Sequence, residues 1–200
     1  MMARYTGPIQ KKLRSLGLEV YGVYGTKKEK RVNQTHVRRR RVSAYGLQLK
    51  EKQKAKFLYG ILERQFKNYY KKAFHMEGST GDNLLILLEK RLDNVLYRTG
   101  LFLTRKQSRQ AANHGHFMVN ERKVDIPSYQ VKKGDVISWT GKGEKTGLYE
   151  SAVNNSKTIS TPHWIELNKS TYAATMVSEP IGSDGELVID TRQIVEFYSK

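Results

Sequence analysis

The sequence predicts an α+β protein: a mainly helical first domain followed by a module of two helices and a small antiparallel sheet. Three observations predict it. Apolar residues recur at helical spacing between Leu47 and Val95. Beyond Gly115 the period changes to two, with Phe117 and Val119 alternating with Met118 and Asn120. Charge is also divided unevenly: residues 146–200 hold four basic side chains against seven acids, a net of −3, so the first 145 residues carry +20 of the chain's total of +17. A surface of that charge repels itself unless something anionic shares it, and a polyanion is the expected partner.

With no cysteine, the chain excludes disulfides and thiolate metal sites. It holds no apolar run of about 18 residues and no secretory leader pattern, so the expected location is cytoplasmic and no membrane partner is expected.

Residues 1–46 read as a basic extended arm, rich in glycine and cations, with Arg38, Arg39, Arg40 and Arg41 in one run. Residues 47–92 read as the helical domain. In LQLKEKQKAKFLYG, Ala55 and Leu58 fall among Lys50, Lys52, Lys54 and Lys56, and Gly60 is placed to stop the helix. ILERQFKNYYKKAFH sets Leu62, Phe66, Tyr69 and Tyr70 at helical spacing beside Arg64, Lys67, Lys71 and Lys72. LLILLEKRLDNVLYRTG then reads as one core helix ending at Gly100, with Leu84, Leu88, Leu92 and Val95 on a single face and the domain boundary near or inside it.

Residues 93–186 hold the second module. Thr104 with Gln107 forms a capping box opening a short basic helix, and Gly115 closes it. A hairpin turning at Asn120-Glu121-Arg122 leads into a second strand over residues 123–126, ended by Pro127. Another strand runs through Val136, Ile137 and Trp139. Residues 141 to about 160 read as loop or weak strand; GKGEKTG at 141–147 lacks the spacing of a phosphate-binding loop. WIELN, TYAATMVS, GELVID and QIVEFYS read as short strands or a closing helical turn.

His114-Gly115-His116 admits three readings. A metal site needs a further ligand, and His36, His75 and His163 are scattered. Acid/base chemistry has only Glu121 and Asp125 nearby and no nucleophile. A turn with Gly115 at positive φ is purely structural. The remaining option is an anion-binding surface: the helix start at Thr104 and Arg105 offers free amides and a guanidinium, Arg109 lies one turn on, and His114, His116 and Lys123 extend the face. Tyr45, Tyr59, Tyr69 and Tyr70 could stack on bases, but their helical spacing favours core packing.

Taken together, RLDNVLYRTG, TRKQSRQAANHGHFMVN and VDIPSYQVKKGDVI resemble the S4 RNA-binding domain. YGLQLKEKQKAKFLYGILERQFKNYYKKA and the terminal IVEFYSK are similar to bacterial small-subunit ribosomal protein S4, a resemblance that spans nearly the whole chain. It implies a structural, non-catalytic protein that binds 16S-type ribosomal RNA at a multi-helix junction and nucleates assembly of the subunit body. The implied partners are ribosomal protein S5, neighbouring small-subunit proteins and messenger RNA, with a contribution to decoding accuracy. The implied RNA contacts are Arg105, Ser108, Arg109, His114, His116, Asn120 and Lys123 in the S4 module and Lys50, Lys52, Lys54, Arg64 and Lys67 on the helical domain, added to the Arg38–Arg41 run. Residues 187–200 are expected to pack back on the first domain. No cofactor and no metal are expected.

Three departures from the family stand out. The zinc-binding cysteines of many relatives are absent, VNQTHV replaces their P-G-Q-H-G, and Asn120-Glu121 replaces the Asn-Gly turn, which predicts a longer or distorted hairpin. The alternatives are an RNA-modifying enzyme that carries an S4 module or a ribosome-rescue S4 protein. Only about sixty residues follow the S4-like segment, too few for a catalytic domain, and a rescue protein is not expected to carry the helical segment from Leu47 to Ala73.

Overall fold

The computed structural model describes residues 5, 7–18, 43–156, 160–186 and 188–199. Arg38, Arg39, Arg40 and Arg41, with most of the basic arm, lie outside the described residues.

A short helix α1 (Ile9–Ser15) packs against the next described helix, with Leu13 buried. Helix α2 (Ala44–Leu58) begins at Ser43, whose hydroxyl accepts from the Gly46 amide. It ends at Gly60, where φ of +63° lets the chain reverse into α3 (Glu63–Phe74). Helix α4 (Thr80–Glu89) is capped by Ser79. The last helix of the chain, α9 (Thr191–Tyr198), lies along α2 and α4. Gln48 donates to Glu196 at 2.9 Å and Tyr198 donates to Glu63 at 3.0 Å, which ties that segment to the first domain. The core here is Ala55, Tyr59, Ile61, Phe66, Tyr69, Ala73, Leu84, Leu85 and Leu88 with Ile189 and Ile194.

The helix expected to run unbroken from Leu84 to Gly100 is two helices. Helix α4 stops at Glu89, Arg91 is extended (φ −71°, ψ 136°), and α5 (Leu92–Arg98) restarts. The break is made by the second module. Val131 N–H donates to the Lys90 carbonyl at 2.8 Å and Leu92 N–H to the Tyr129 carbonyl at 2.9 Å, so a strand-like bridge between Arg91 and Gln130 replaces helical bonds. The apolar spacing of the sequence runs on across the interruption, so the pattern reads as continuous, although Leu84 and Leu88 join the first core and Leu92 and Val95 the second.

Helix α6 (Arg105–Asn113) starts as expected at Thr104, whose hydroxyl accepts from the Gln107 amide at 3.2 Å. Its sheet is antiparallel with order β2-β1-β3-β5-β4, built from β1 (Phe117–Val119), β2 (Arg122–Lys123), β3 (Val136–Trp139), β4 (Ile165–Leu167) and β5 (Ala174–Met176). The second hairpin strand is shorter than the expected 123–126. The hairpin is not longer or distorted: Val119 faces Arg122 across a two-residue turn, with Asn120 (φ +48°) and Glu121 (φ +63°) both left-handed. Asn120 makes this tight turn possible, donating to Asp135 at 2.8 Å and accepting from the Val136 amide at 2.9 Å. Residues 141–156 are helical instead of loop, as α7 (Gly141–Glu144) and α8 (Gly147–Ser156). Thr140 caps the first with a 3.0 Å bond from the Gly143 amide. A second core of Phe102, Phe117, Val131, Ile137, Trp139, Trp164 and Met176 fills the space between sheet and helices.

Candidate nucleic-acid interface

The His114-Gly115-His116 corner is a helix C-cap of the Schellman type. Gly115, at φ +70°, donates to the Ala112 carbonyl at 2.9 Å, and His116 N–H reaches the Ala111 carbonyl at 3.3 Å. A side chain on Gly115 would overlap the aliphatic chain of Lys123, which lies across the corner. The His116 carbonyl accepts from Thr140 at 2.9 Å, which docks α7 on the same corner.

This packing gathers charge. Burial pushes the His116 imidazole down, and the charges of His114, Lys142 and Lys123 push it further in the same direction. Its Nδ1 is enclosed without a hydrogen-bond partner, which also disfavours the imidazolium. His114 and His116 rings meet edge to face at 5.9 Å. Among the described residues no three His, Cys, Asp or Glu side chains come together as a metal site would require. Beside the corner, Gln107, Gln110, Ala111 and His114 of α6 and Leu148 of α8 line a groove of about 240 Å³, whose amides and imidazole can bond to sugar and base edges.

Arg105, Ser108 and Arg109, expected as RNA contacts, make bonds within the protein. Arg105 donates to Glu186 at 2.5 Å and to Asn94 at 2.8 Å, with its guanidinium 4.3 Å from the Tyr97 ring centroid and 5.0 Å from that of Tyr59. Arg109 donates to the Gly60 carbonyl at 2.8 Å and lies 3.5 Å from Asp93. Ser108 is fully buried and donates to the Asp93 carbonyl at 2.6 Å. These bonds belong to a polar junction between the two units, centred on Glu89. That carboxylate is wholly buried and accepts from the Tyr59 hydroxyl (2.6 Å), Asn94 (2.6 Å) and Arg98 (2.9 and 2.7 Å). Arg91 grips Asp93 with two bonds of 3.0 and 2.7 Å and donates to Tyr69 at 2.8 Å. Burial would raise the Glu186 carboxyl, but the Arg105 charge and bond and the Arg98 charge outweigh it and hold the carboxyl low.

On the helical domain the cations sort the same way. Lys52 is buried, 2.7 Å from Glu63 and 4.4 Å over the Phe197 ring. Lys54 is paired with Glu51 at 2.6 Å. Lys50 is exposed, as are Arg64 and Lys67. With Lys71 these last two form a stripe at positions i, i+3 and i+7 of α3, opposite buried Phe66, Tyr69 and Ala73. Lys72 lies further round the solvent side, and among the described residues none of these four α3 cations makes an ion pair. In the second module His114 and Lys123 are exposed, His116 is half-buried, and Asn120 spends its amide on the turn. Sequence reasoning missed Lys71, Lys72 and Lys142 as candidates. The i+4 relation of Lys71 to Lys67 was an available signal, whereas Lys142 is brought to the histidine corner only by the unexpected helix α7.

The chain matches two family models, the ribosomal protein S4/S9 N-terminal domain over residues 4–89 and the S4 domain over residues 90–137. It is 48% identical to small ribosomal subunit protein uS4 of Clostridium tetani over 162 residues, 81% of this chain and 78% of that one. Identity is 44% to uS4A of Clostridium acetobutylicum and 44% to uS4 of Chloroflexus aurantiacus, in both cases across 100% of each chain. The division between the two models falls at the break between α4 and α5.

Proposed function

The chain belongs to the small ribosomal subunit protein uS4 family, and from that premise we propose that it acts as a primary binder of 16S-type ribosomal RNA that nucleates assembly of the subunit body. Its work is structural and calls for no catalytic group. The same reading gives it ribosomal protein S5 and neighbouring small-subunit proteins as partners, messenger RNA within reach, a contribution to decoding accuracy, and a cytoplasmic home in the small subunit.

The observation that carries the RNA reading is the sorting of the cations. Arg91, Arg98, Arg105 and Lys52 each face an acid inside the protein, while Arg64, Lys67, Lys71 and Lys72 stay exposed and unpaired on one helix. An unpaired cationic helix face fits the phosphate backbone of folded RNA, which is recognised by shape more than by sequence. Lys123, Lys142, His114 and His116 supply a second contact on the S4 module, and the division at residues 89 and 90 gives the RNA two surfaces to bridge.

Chemical footprinting of small-subunit ribosomal RNA with the full chain tests this: a multi-helix junction becomes protected. Replacing Arg64, Lys67, Lys71 and Lys72 together by alanine then reduces the slope of log affinity against log salt by about three, since each lost phosphate contact removes about 0.7–0.9 of slope. Absence of protection, or an unchanged slope, refutes the reading.

A further inference from the structure

Phe74 ends α3 and is 61% exposed, an unfavourable place for a phenylalanine on a strongly basic face. It is not an isolated ring. Phe74 stacks on Tyr70 with centroids 6.4 Å apart and planes at 30°, and Tyr70 stacks on Tyr198 at 4.5 Å and 30°. Tyr198 is fixed from the other side by its bond to Glu63. The result is a column of three rings, packed against the first core and most open to solvent at Phe74. The edge of the His75 ring, 5.7 Å away at 78°, braces that open end.

On the helix surface Phe74 borders Lys67 and Lys71 at spacings of seven and three, so the open ring continues the unpaired cationic stripe. The acid that would oppose a polyanion there, Glu63, is taken by Lys52, Lys56 and Tyr198. We propose that Phe74 is a stacking platform for an unpaired nucleobase of the RNA whose phosphates lie along Arg64, Lys67 and Lys71. This rests on the RNA-binding reading above and adds a flipped or terminal base to it. A rigid column suits the task because its rings are already ordered and each base offers a π-face. A protein partner fits less well, since Met76 is the one exposed large hydrophobic beside it in the sequence and the side chains that border the ring on α3 are cations.

Ultraviolet crosslinking of the full chain to small-subunit ribosomal RNA, followed by nuclease, trypsin and mass spectrometry, reads the stack directly. A nucleotide adduct is expected on Phe74 in the peptide spanning residues 73–90. Phe74→Leu keeps the apolar bulk and loses the ring; it should abolish the adduct and weaken binding about tenfold without changing the salt slope, and Phe74→Trp should restore affinity. Lys71→Ala should instead flatten the slope. If wild type binds the RNA and Phe74→Leu binds equally well without an adduct in either, the platform is refuted while the RNA-binding reading stands. Equal RNA binding with loss of a co-assembling subunit protein refutes it in favour of a protein contact. If wild type itself does not bind, both readings fall.

Discussion

Arg109 Nη1 donates to the Gly60 carbonyl oxygen at 2.8 Å, so a cation on the basic helix of the second module reaches back to the helix stop of the first. Together with the pair of Arg105 and Glu186 it fastens two parts of one chain.

Arg105→Ala is therefore expected to act on stability. It leaves Glu186 partly buried without its closest partner and removes a guanidinium packed on two tyrosines, a loss of about 2 kcal/mol. Urea denaturation measures it, and the salt dependence of RNA binding should stay that of wild type. A flattened slope with unaltered stability reverses this assignment.

The same pair gives a pH dependence with a definite sign. Because the folded carboxyl of Glu186 lies below its ordinary value, the unfolded chain takes up the proton first as pH falls. The contribution is complete above the ordinary carboxylate value and is lost as pH drops through the lower folded value. As pH falls below about 5, wild type should lose more stability than Glu186→Gln, a difference visible in paired melting curves.

Glu121 occupies a left-handed turn position at φ +63° that suits glycine. Glu121→Gly should raise stability by about 0.5–1 kcal/mol and take an acid away from the Lys123 side of the module. Lower thermal stability in the variant shows that the glutamate contributes something the turn geometry does not contain.

His116 supplies a test of where an anion sits. In the free protein, burial followed by the charges of His114, Lys142 and Lys123 keeps the imidazole below its ordinary value. The free chain thus loses stability as pH falls through the ordinary histidine value, since the unfolded state protonates first. A phosphate lodged in the cluster opposes that push, so binding takes up protons and affinity rises from about pH 7.5 to about pH 5.5. Flat affinity across the interval, or a histidine NMR titration unmoved by RNA, removes the phosphate from this corner.

Local chemistry was legible in the sequence where a few adjacent residues decide it. Thr104 opens α6, Gly60 ends the turn after α2, and Gly115 caps α6, each from its own side chain or lack of one. Longer-range effects were not. The break at Arg91 comes from the bonds of Lys90 and Leu92 to Val131 and Tyr129, while Leu88, Leu92 and Val95 keep helical spacing in the sequence although they serve two different cores. Helices α7 and α8 hide behind glycines at 141, 143 and 147. Composition counts cations without their partners, so Arg105 reads like Lys67 until Glu186, 81 positions later, is found against it. The unpaired α3 face was readable because its apolar and charged residues alternate within one helix.

The step from Glu89 to Leu92 has a thermodynamic consequence. Family models divide the chain there, yet it is where a buried carboxylate and four arginines converge, beside the backbone bonds that hold Lys90 and Leu92 to Val131 and Tyr129. Cutting at that division would strand Glu89 on one fragment and Asn94 and Arg98 on the other. Two modules joined in this way are expected to melt in a single cooperative transition and to hold the two proposed RNA contacts at a set angle, a ruler built before any RNA arrives.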